Sequence, residues 1–339
     1  MILPTIRDVA RHANVSATTV SCVLNKKKGF RFPQETVDRI HKAVEELGYS
    51  ANKMIRSIQT GKTNTIGLGY FRIGNATTML QHLLNSVHRQ GGYDVFFHLA
   101  NKILGVDEIN PREYMDGRID GLIYNESLHQ HASEYFRRKG FPAVVLLKRD
   151  LPEGIACSNV DYFEIGVRAV KYLHKKGHSR IAHLAGNIND WEDAVRTRDG
   201  YLAGMRKEKL EIIDEWIYSR SSSDPAKCVD ALEKWLAMPV RNRPTAIFTD
   251  NIAALRLFKV ISARGMKIPD DISIISTGIH GELLEGLNPK LTCFNISEEK
   301  IADYAVKSLI SIINGANPDD FRTPVPYDFI EGKSVGVRN

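Results

Sequence analysis

An all-α helix-turn-helix headpiece followed by an α/β core of two doubly wound subdomains is the fold class this sequence predicts. Three observations carry the prediction. Apolar residues recur at helical spacing up to Leu47. From Thr65 onward, short apolar runs bounded by turn residues alternate with helical patterns. The excess positive charge of the chain is confined to the first of these regions.

The stretch Ile6–Asn25, IRDVARHANVSATTVSCVLN, sets the order of the headpiece. Thr5 is placed to cap a first helix, with Asp8 three residues on completing a capping box. Val9, Ala10 and Ala13 then share one face. Asn14 and Val15 break the run, and Ser16 can cap a second helix whose inner face is Val20, Val23 and Leu24. Two short helices joined by a tight turn form a helix-turn-helix, whose second helix can enter a DNA major groove. Its outer face is predicted to hold Ala17, Thr18, Ser21 and Cys22, side chains small enough for close approach to base edges. A small helical subdomain with no nucleic-acid role has the same pattern over this stretch alone.

After Asn25 the basic loop KKKGFRFP is placed to lie against a phosphate backbone. Pro33 suits the first turn of a third helix. Val37, Ile40, Val44 and Leu47 give that helix a buried face, and Gly48 ends it, so the headpiece closes near Tyr49. Residues 52–60, NKMIRSIQT, are too few for a stable free helix. Met54, Ile55 and Ile58 are apolar there, with Arg56 and Ser57 exposed. The segment reads as a plain linker or as a helix that folds only on DNA, one side chain wedged into the minor groove. Residues 1–63 hold eleven Lys/Arg against five Asp/Glu, an excess equal to the +6 of the whole chain, so the remainder is neutral. A basic segment on a neutral body is the footprint of a phosphate-binding module.

The larger part begins with IGLGYF, then a helix at Met79–Arg89 and YDVFFHLA. DGLIYN, a helix through Phe136 and PAVVLLKR continue the alternation. A helix at Ile165–Lys175, RIAHLAG, a helix at Glu192–Lys207 and EWIYSR follow. The last units are a helix at Ala226–Leu236, TAIFTD, a helix at Ala253–Arg264 and ISIIST. These are too many for one sheet, so two parallel-stranded subdomains are expected, with a ligand cleft beyond the carboxyl ends of the strands. At 43% apolar and 25% charged residues the composition is that of a soluble globular protein. No apolar stretch reaches membrane-spanning length, and Arg7, Asp8 and Arg11 interrupt any signal core, so a cytoplasmic location is expected. The four cysteines (Cys22, Cys157, Cys228, Cys293) are scattered, which suits free thiols in a reducing compartment.

VSATTVSCVLN, ELGYSANKMIRSIQTGKTNTIGL, GYDV, RIDGLI, KKGHSRIAHLAG, RPTAIFTDNIAAL and KIPDDISII fall in order along the chain. Together they resemble the lactose-repressor (LacI) family of bacterial transcription regulators, over essentially the whole length. The resemblance implies a DNA-binding headpiece (1–50), a hinge helix and linker (51–63) and a periplasmic-binding-protein-like core (64–339). That core would be two subdomains, about 65–160 plus 293–323 and 161–292 plus 324–339, joined by three crossing strands. It implies Ala17, Thr18 and Cys22 as major-groove readers, Cys22 departing from the usual arginine. Ser16, Thr19, Ser21 and Asn25 would contact phosphates, with Thr5, Lys28, Tyr49, Asn52, Arg56 and Ser57 as further DNA contacts. Ile58 stands where the family places its minor-groove leucine. Ala51 replaces the usual hinge proline and Ile55 the usual alanine. The loop from Asn25 to Thr36 is about two residues longer than the common pattern, which adds backbone contacts or is a surface insertion.

By the same resemblance the effector site departs further. The run STGIHG, with Gly278 and Ile279, lacks the family's aspartate, and the pair after TAIF is inverted to Asp250-Asn251. Lys148 replaces another aspartate, and Thr197 takes the arginine slot, between Arg196 and Arg198. The candidate effector residues are Tyr70, Phe71, Lys148, Trp191, Arg196, Arg198 and Asp250, the aromatics being ligand stackers or cleft wall. This set favours a charged or less polar small molecule, or none, over a neutral sugar. No metal or cofactor is expected: the histidines are dispersed, and Asp270-Asp271 reads as a strand flank. Neither GxGxxG nor a P-loop occurs, which argues against an enzyme. The expected partners are operator DNA, a small-molecule effector and a second copy in a homodimer, with no membrane. The tail after Phe329 has no heptad repeat for a tetramerising coiled coil. The competing reading is a small-molecule (sugar-type) receptor without regulatory DNA binding.

Overall fold

The computed structural model describes residues 4–24, 29–49, 57, 61–69, 77–98, 111–125, 132–148, 151–186, 192–219, 226–279 and 282–338. The chain divides into two compact units, Met1–Asn64 and Thr65–Asn339.

In the first unit, α1 (Ile6–His12), α2 (Ala17–Leu24) and α3 (Gln34–Leu47) close over Val9, Ala10, Ala13, Val20, Ile40 and Ala43. The break between α1 and α2 is made by Asn14 at φ 52, a left-handed conformation that asparagine tolerates, and Val15 N–H returns to the Ala10 carbonyl at 2.9 Å. Gly48 ends α3 at φ 59, and the following Tyr49 N–H reaches the Val44 carbonyl at 2.9 Å.

The second unit holds two sheets. The first is all parallel, in the order β2 (Asp94–His98), β1 (Thr65–Gly69), β3 (Gly121–Asn125), β4 (Ala143–Leu146), β5 (Ala156–Ser158). The second runs β11 (Asp328–Ile330), β10 (Thr292–Ile296), β9 (Ser273–Ile279), β8 (Ala246–Asp250), β6 (Ile181–Ala185), β7 (Ile217–Ser219), with only β11 antiparallel. Strands buried on both faces explain the continuous apolar runs of the sequence. In β4, Val144 and Leu146 enter one core cluster while Ala143 and Val145 enter another. In β8, Ala246 and Phe248 face the first cluster and Ile247 the cluster around Trp216 and Trp235.

The helices of this unit are α4 (Thr77–Gln90), α5 (Ala132–Lys139), α6 (Tyr162–Lys175), α7 (Glu192–Lys207), α8 (Ala226–Ala237), α9 (Asn251–Ala263), α10 (Glu282–Glu285) and α11 (Glu298–Ile313) among the described residues. α11 packs on α4 and on β3, β4 and β5, and Ser158 donates to the Ile301 carbonyl at 2.8 Å. The expected boundary at residue 293 is therefore displaced. β10 remains hydrogen-bonded to β9 in the second sheet, register Thr292 to Ile275, and the chain crosses only after Ile296. The physical reason is its register: Cys293 sits in the Trp216 cluster of the second sheet, so cutting the chain there would strip that core.

α6 and α7 lie close enough that a Cβ on Gly166 would meet the Thr197 carbonyl at 2.5 Å and the Tyr201 amide at 2.6 Å. That contact brings the first turns of both helices to one place.

Candidate functional site

The headpiece face is built by caps. Asp8 Oδ2 accepts from the Thr5 N–H at 2.9 Å and from the Thr5 hydroxyl at 2.7 Å, and these bonds hold the Asp8 carboxyl below its usual range. With its single hydroxyl hydrogen donated internally, Thr5 must give up that bond to donate to a phosphate. Ser16 Oγ accepts from the Thr19 N–H at 3.0 Å and lies 2.9 Å from the Thr19 hydroxyl, so α2 begins on a serine cap. One hydrogen joins those two hydroxyls and the second is left to donate outward.

On α2, Thr18 is exposed, while Ala17 and Ser21 are half-buried. Cys22 departs from expectation. It is only 6% exposed and so is not displayed on the outer face. Its side chain ends one atom beyond Cβ and sinks where an arginine would project. Tyr49 is half-buried against the headpiece core, which raises its hydroxyl pKa. Ser57 is half-buried, its carbonyl accepting from Gly61 N–H at 2.8 Å. Asn25, Lys28, Asn52, Arg56 and Ile58 lie outside the described residues.

In the core, a crevice too narrow to hold a water-sized sphere is lined by Leu147, Asn159, Val160, Asp161, Tyr162, Glu192, Asp193 and Arg196. These residues follow β4 and β5 or open α6 and α7, the place where doubly wound sheets bind ligands. Asp161 caps α6 by accepting from Glu164 N–H at 3.1 Å. Asp193 accepts from Ala194 N–H at 2.9 Å; burial pushes its carboxyl up, and the charges of Asp250 and Glu192 add to this. Burial likewise raises the Tyr162 hydroxyl, with the Asp193 charge adding to it.

The structure separates the expected effector residues. Arg196 lines the cleft, its guanidinium 5.5 Å from the Phe163 ring. Arg198 is turned to Asp199 at 3.0 Å, and Thr197 between them is buried, its hydroxyl donating to the Asp193 carbonyl at 2.6 Å. Lys148 is half-buried, one residue past the lining Leu147. Asp250 caps α9 through Ala253 N–H at 2.9 Å, one carboxylate oxygen being used there. Asn251 accepts from the Ser276 hydroxyl at 2.6 Å and donates to the Ile279 carbonyl at 2.8 Å, so the inverted pair fixes the end of β9. Tyr70, Phe71 and Trp191 lie outside the described residues.

Sequence reasoning missed Asn159, Asp161, Tyr162, Glu192 and Asp193 as cleft residues. The available signal was Asn-Val-Asp-Tyr between an apolar strand and a helix start, and Glu-Asp opening the helix at 192. Two buried groups of the second sheet each have one polar atom without a hydrogen-bond partner. Thr277 Oγ, on a residue in register with Asp250, has no hydrogen-bond partner. His183 donates from Nδ1 to the Phe248 carbonyl at 3.0 Å and leaves Nε2 unpaired.

A helix-turn-helix unit ahead of a two-sheet ligand-binding core defines the class of DNA-binding, ligand-responsive transcription regulators. Residues 5–52 match the bacterial regulatory proteins of the lacI family, and residues 170–335 the periplasmic binding protein-like domain. The chain is 31% identical to the HTH-type transcriptional repressor PurR of Vibrio atlanticus (strain LGP32), over 99% of this chain and 100% of that one. It is 29% identical to the probable HTH-type transcriptional repressor ExuR of Bacillus subtilis (strain 168), over 91% and 92%. Its fold matches the Lac repressor dimer bound to operator and the anti-inducer ONPF with a TM-score of 0.80, at 19% identity over 99% and 100% of the chains. The protein belongs to the lacI family of transcription regulators. Among the described residues no helix is long and apolar enough to cross a membrane.

Proposed function

We propose that the protein is a cytoplasmic repressor that binds a pseudo-palindromic operator as a homodimer, with affinity set by a small molecule in the core cleft. The observation that carries this reading is the serine-capped α2 with Thr18 exposed, on the segment that holds the chain's whole charge excess. Thr18 and Ala17 read base edges, and the Ser16–Thr19 hydroxyl pair, Ser21 and the loop lysines hold phosphates. Cys22 serves as packing that sets the depth of α2 in the groove. No catalytic step is assigned to the chain. The cleft presents Asp161, Glu192, Asp193 and Arg196 together, which suits a small polar ligand carrying hydrogen-bond donors and one anionic or acceptor group.

The test is deletion of residues 1–64 beside the full chain. A duplex enriched from a random-sequence pool by the full chain should lose all binding on deletion. Thermal-shift responses to a panel of sugars, sugar acids, sugar phosphates and purines should be the same for both proteins. A ligand at a hundred times its Kd stabilises by about 2.7 kcal/mol. Retention of duplex binding by the truncated chain would refute the assignment of DNA binding to the headpiece.

A further inference from the structure

The loop between α2 and α3 carries an apolar group that the headpiece does not use. Phe30 is 56% exposed, and among the described residues it is the single large exposed apolar side chain of the first unit. Val9, Val20 and Ile40 are fully buried, so that core is complete without it. Phe30 stacks nearly parallel on Phe32, ring centroids 6.4 Å apart and planes within 6°. Phe32 is half-buried, so one face of Phe30 is propped while the other meets water. Gly29 at φ +92 and Pro33, the residue before α3, bracket the pair and restrict the loop.

The charge around the ring selects its occupant. Arg31 is exposed between the two phenylalanines, and Lys26, Lys27 and Lys28 precede them. A second headpiece packed on this ring would bring its own positive excess against the first; a polyanion would not. Gly29 is five residues past the end of α2, which bounds its distance from that helix at about 18 Å, or roughly five base-pair steps. We infer that Phe30, propped on Phe32, is a second duplex-DNA contact. It packs on the deoxyribose backbone flanking the α2 site while Arg31 takes the adjacent phosphate. The inference rests on the regulator reading above.

Phe30→Ala, Phe30→Trp and Arg31→Ala in the full chain would be titrated, across a salt series, against the duplex enriched by the wild type and against a random-sequence duplex pool. Phe30→Ala should weaken binding to both DNAs by about fivefold at every salt concentration, because it removes apolar burial and no charge. Phe30→Trp should restore it. Arg31→Ala should instead flatten the slope of log K against log[salt] by about one, as for any lost phosphate contact. Unchanged affinity of Phe30→Ala, with the headpiece's circular dichroism intact, would overturn the assignment. A wild type that binds no duplex at all would overturn the regulator reading and this inference with it.

Discussion

The headpiece and the core cleft use one device, a polar side chain capping a helix, in different electrostatic settings. In the headpiece Thr5 gives its hydroxyl hydrogen to Asp8, while Ser16 and Thr19 spend one hydroxyl hydrogen between them and keep the other. The surface that remains is shape, a few small side chains and positive charge, which suits a partner recognised mainly through its backbone. In the core, Asp161 and Asp250 each cap a helix, and Asp193 accepts from the Ala194 N–H. Burial raises the Asp193 carboxyl and the charges of Asp250 and Glu192 add to it, so this cluster of acids is the part of the core most sensitive to a positively charged or hydrogen-bond-donating ligand. The difference teaches how each site discriminates. On the proposed function, the headpiece would discriminate by fit and salt-dependent attraction, the cleft by how a ligand's charge and donors meet its cluster of acids.

The comparison breaks most sharply where the two units are uncoupled. All three tryptophans (Trp191, Trp216, Trp235) lie in the second unit, so their fluorescence follows core unfolding alone. Gly166→Val forces side-chain atoms onto the Thr197 carbonyl and the Tyr201 amide. Core stability in urea should fall by about 3 kcal/mol, and the cleft residues on α6 and α7 should lose their mutual placement. The headpiece, followed by the thermal shift of residues 1–64 alone, contains neither residue and should not respond.

A second test uses protons. His178 is buried between the Thr245 hydroxyl at 2.9 Å and the Gly336 carbonyl at 3.2 Å, and His183 lies between the rings of Tyr201 and Phe248. Burial holds both at about 4, below the ordinary 6.5. Between those values the unfolded chain binds protons that the native core refuses, so stability is full above pH 6.5 and falls as the pH drops toward 4. The loss approaches roughly 3 kcal/mol for each histidine. Asp193 works in the opposite sense, because its raised carboxyl takes up a proton in the native state before the unfolded one does. His178→Gln should flatten the dependence of the urea midpoint on pH in this window; an unchanged slope would show that His178 is not held neutral.

The alternation of strand and helix was legible because each apolar run is buried on two faces, as β4 and β8 illustrate. The helix at Glu192–Lys207 was read to its ends because Glu-Asp opens it and Arg-Lys closes it. β5 and β11, three residues each, carry too little pattern to be seen, and the place where β10 leaves its sheet depends on pairing with β9, not on any local signal. The cleft was less legible than the headpiece. Arg196 and Arg198 are two residues apart on one helix, so only packing against Phe163 and Asp199 decides which faces the cleft. Cys22 misled because a helical wheel gives direction without depth.

A smaller effect tests the headpiece cap. Ser16→Ala removes the acceptor of the Thr19 N–H and should cost the headpiece about 1 kcal/mol. Ser16→Asp should retain the cap yet weaken duplex binding by adding a negative charge at the proposed DNA face. A measured affinity that tracks headpiece stability in both variants would mean that Ser16 acts on DNA only through the fold.

The smallest effect bears most directly on unspent polarity. Thr249 and Thr277 are both buried in the second sheet, on adjacent strands. Thr249 donates to the Leu184 carbonyl at 2.9 Å, whereas the Thr277 hydroxyl has no partner. Thr249→Val removes a made bond and should cost about 1 kcal/mol, while Thr277→Val removes only an uncompensated polar group and should be neutral or stabilise by under about 1 kcal/mol. If Thr277 belongs to the ligand-binding apparatus, the same valine that stabilises the free core should weaken the thermal shift produced by any ligand the panel reveals. Equal destabilisation by both valines would mean that Thr277 already has a partner in the free protein.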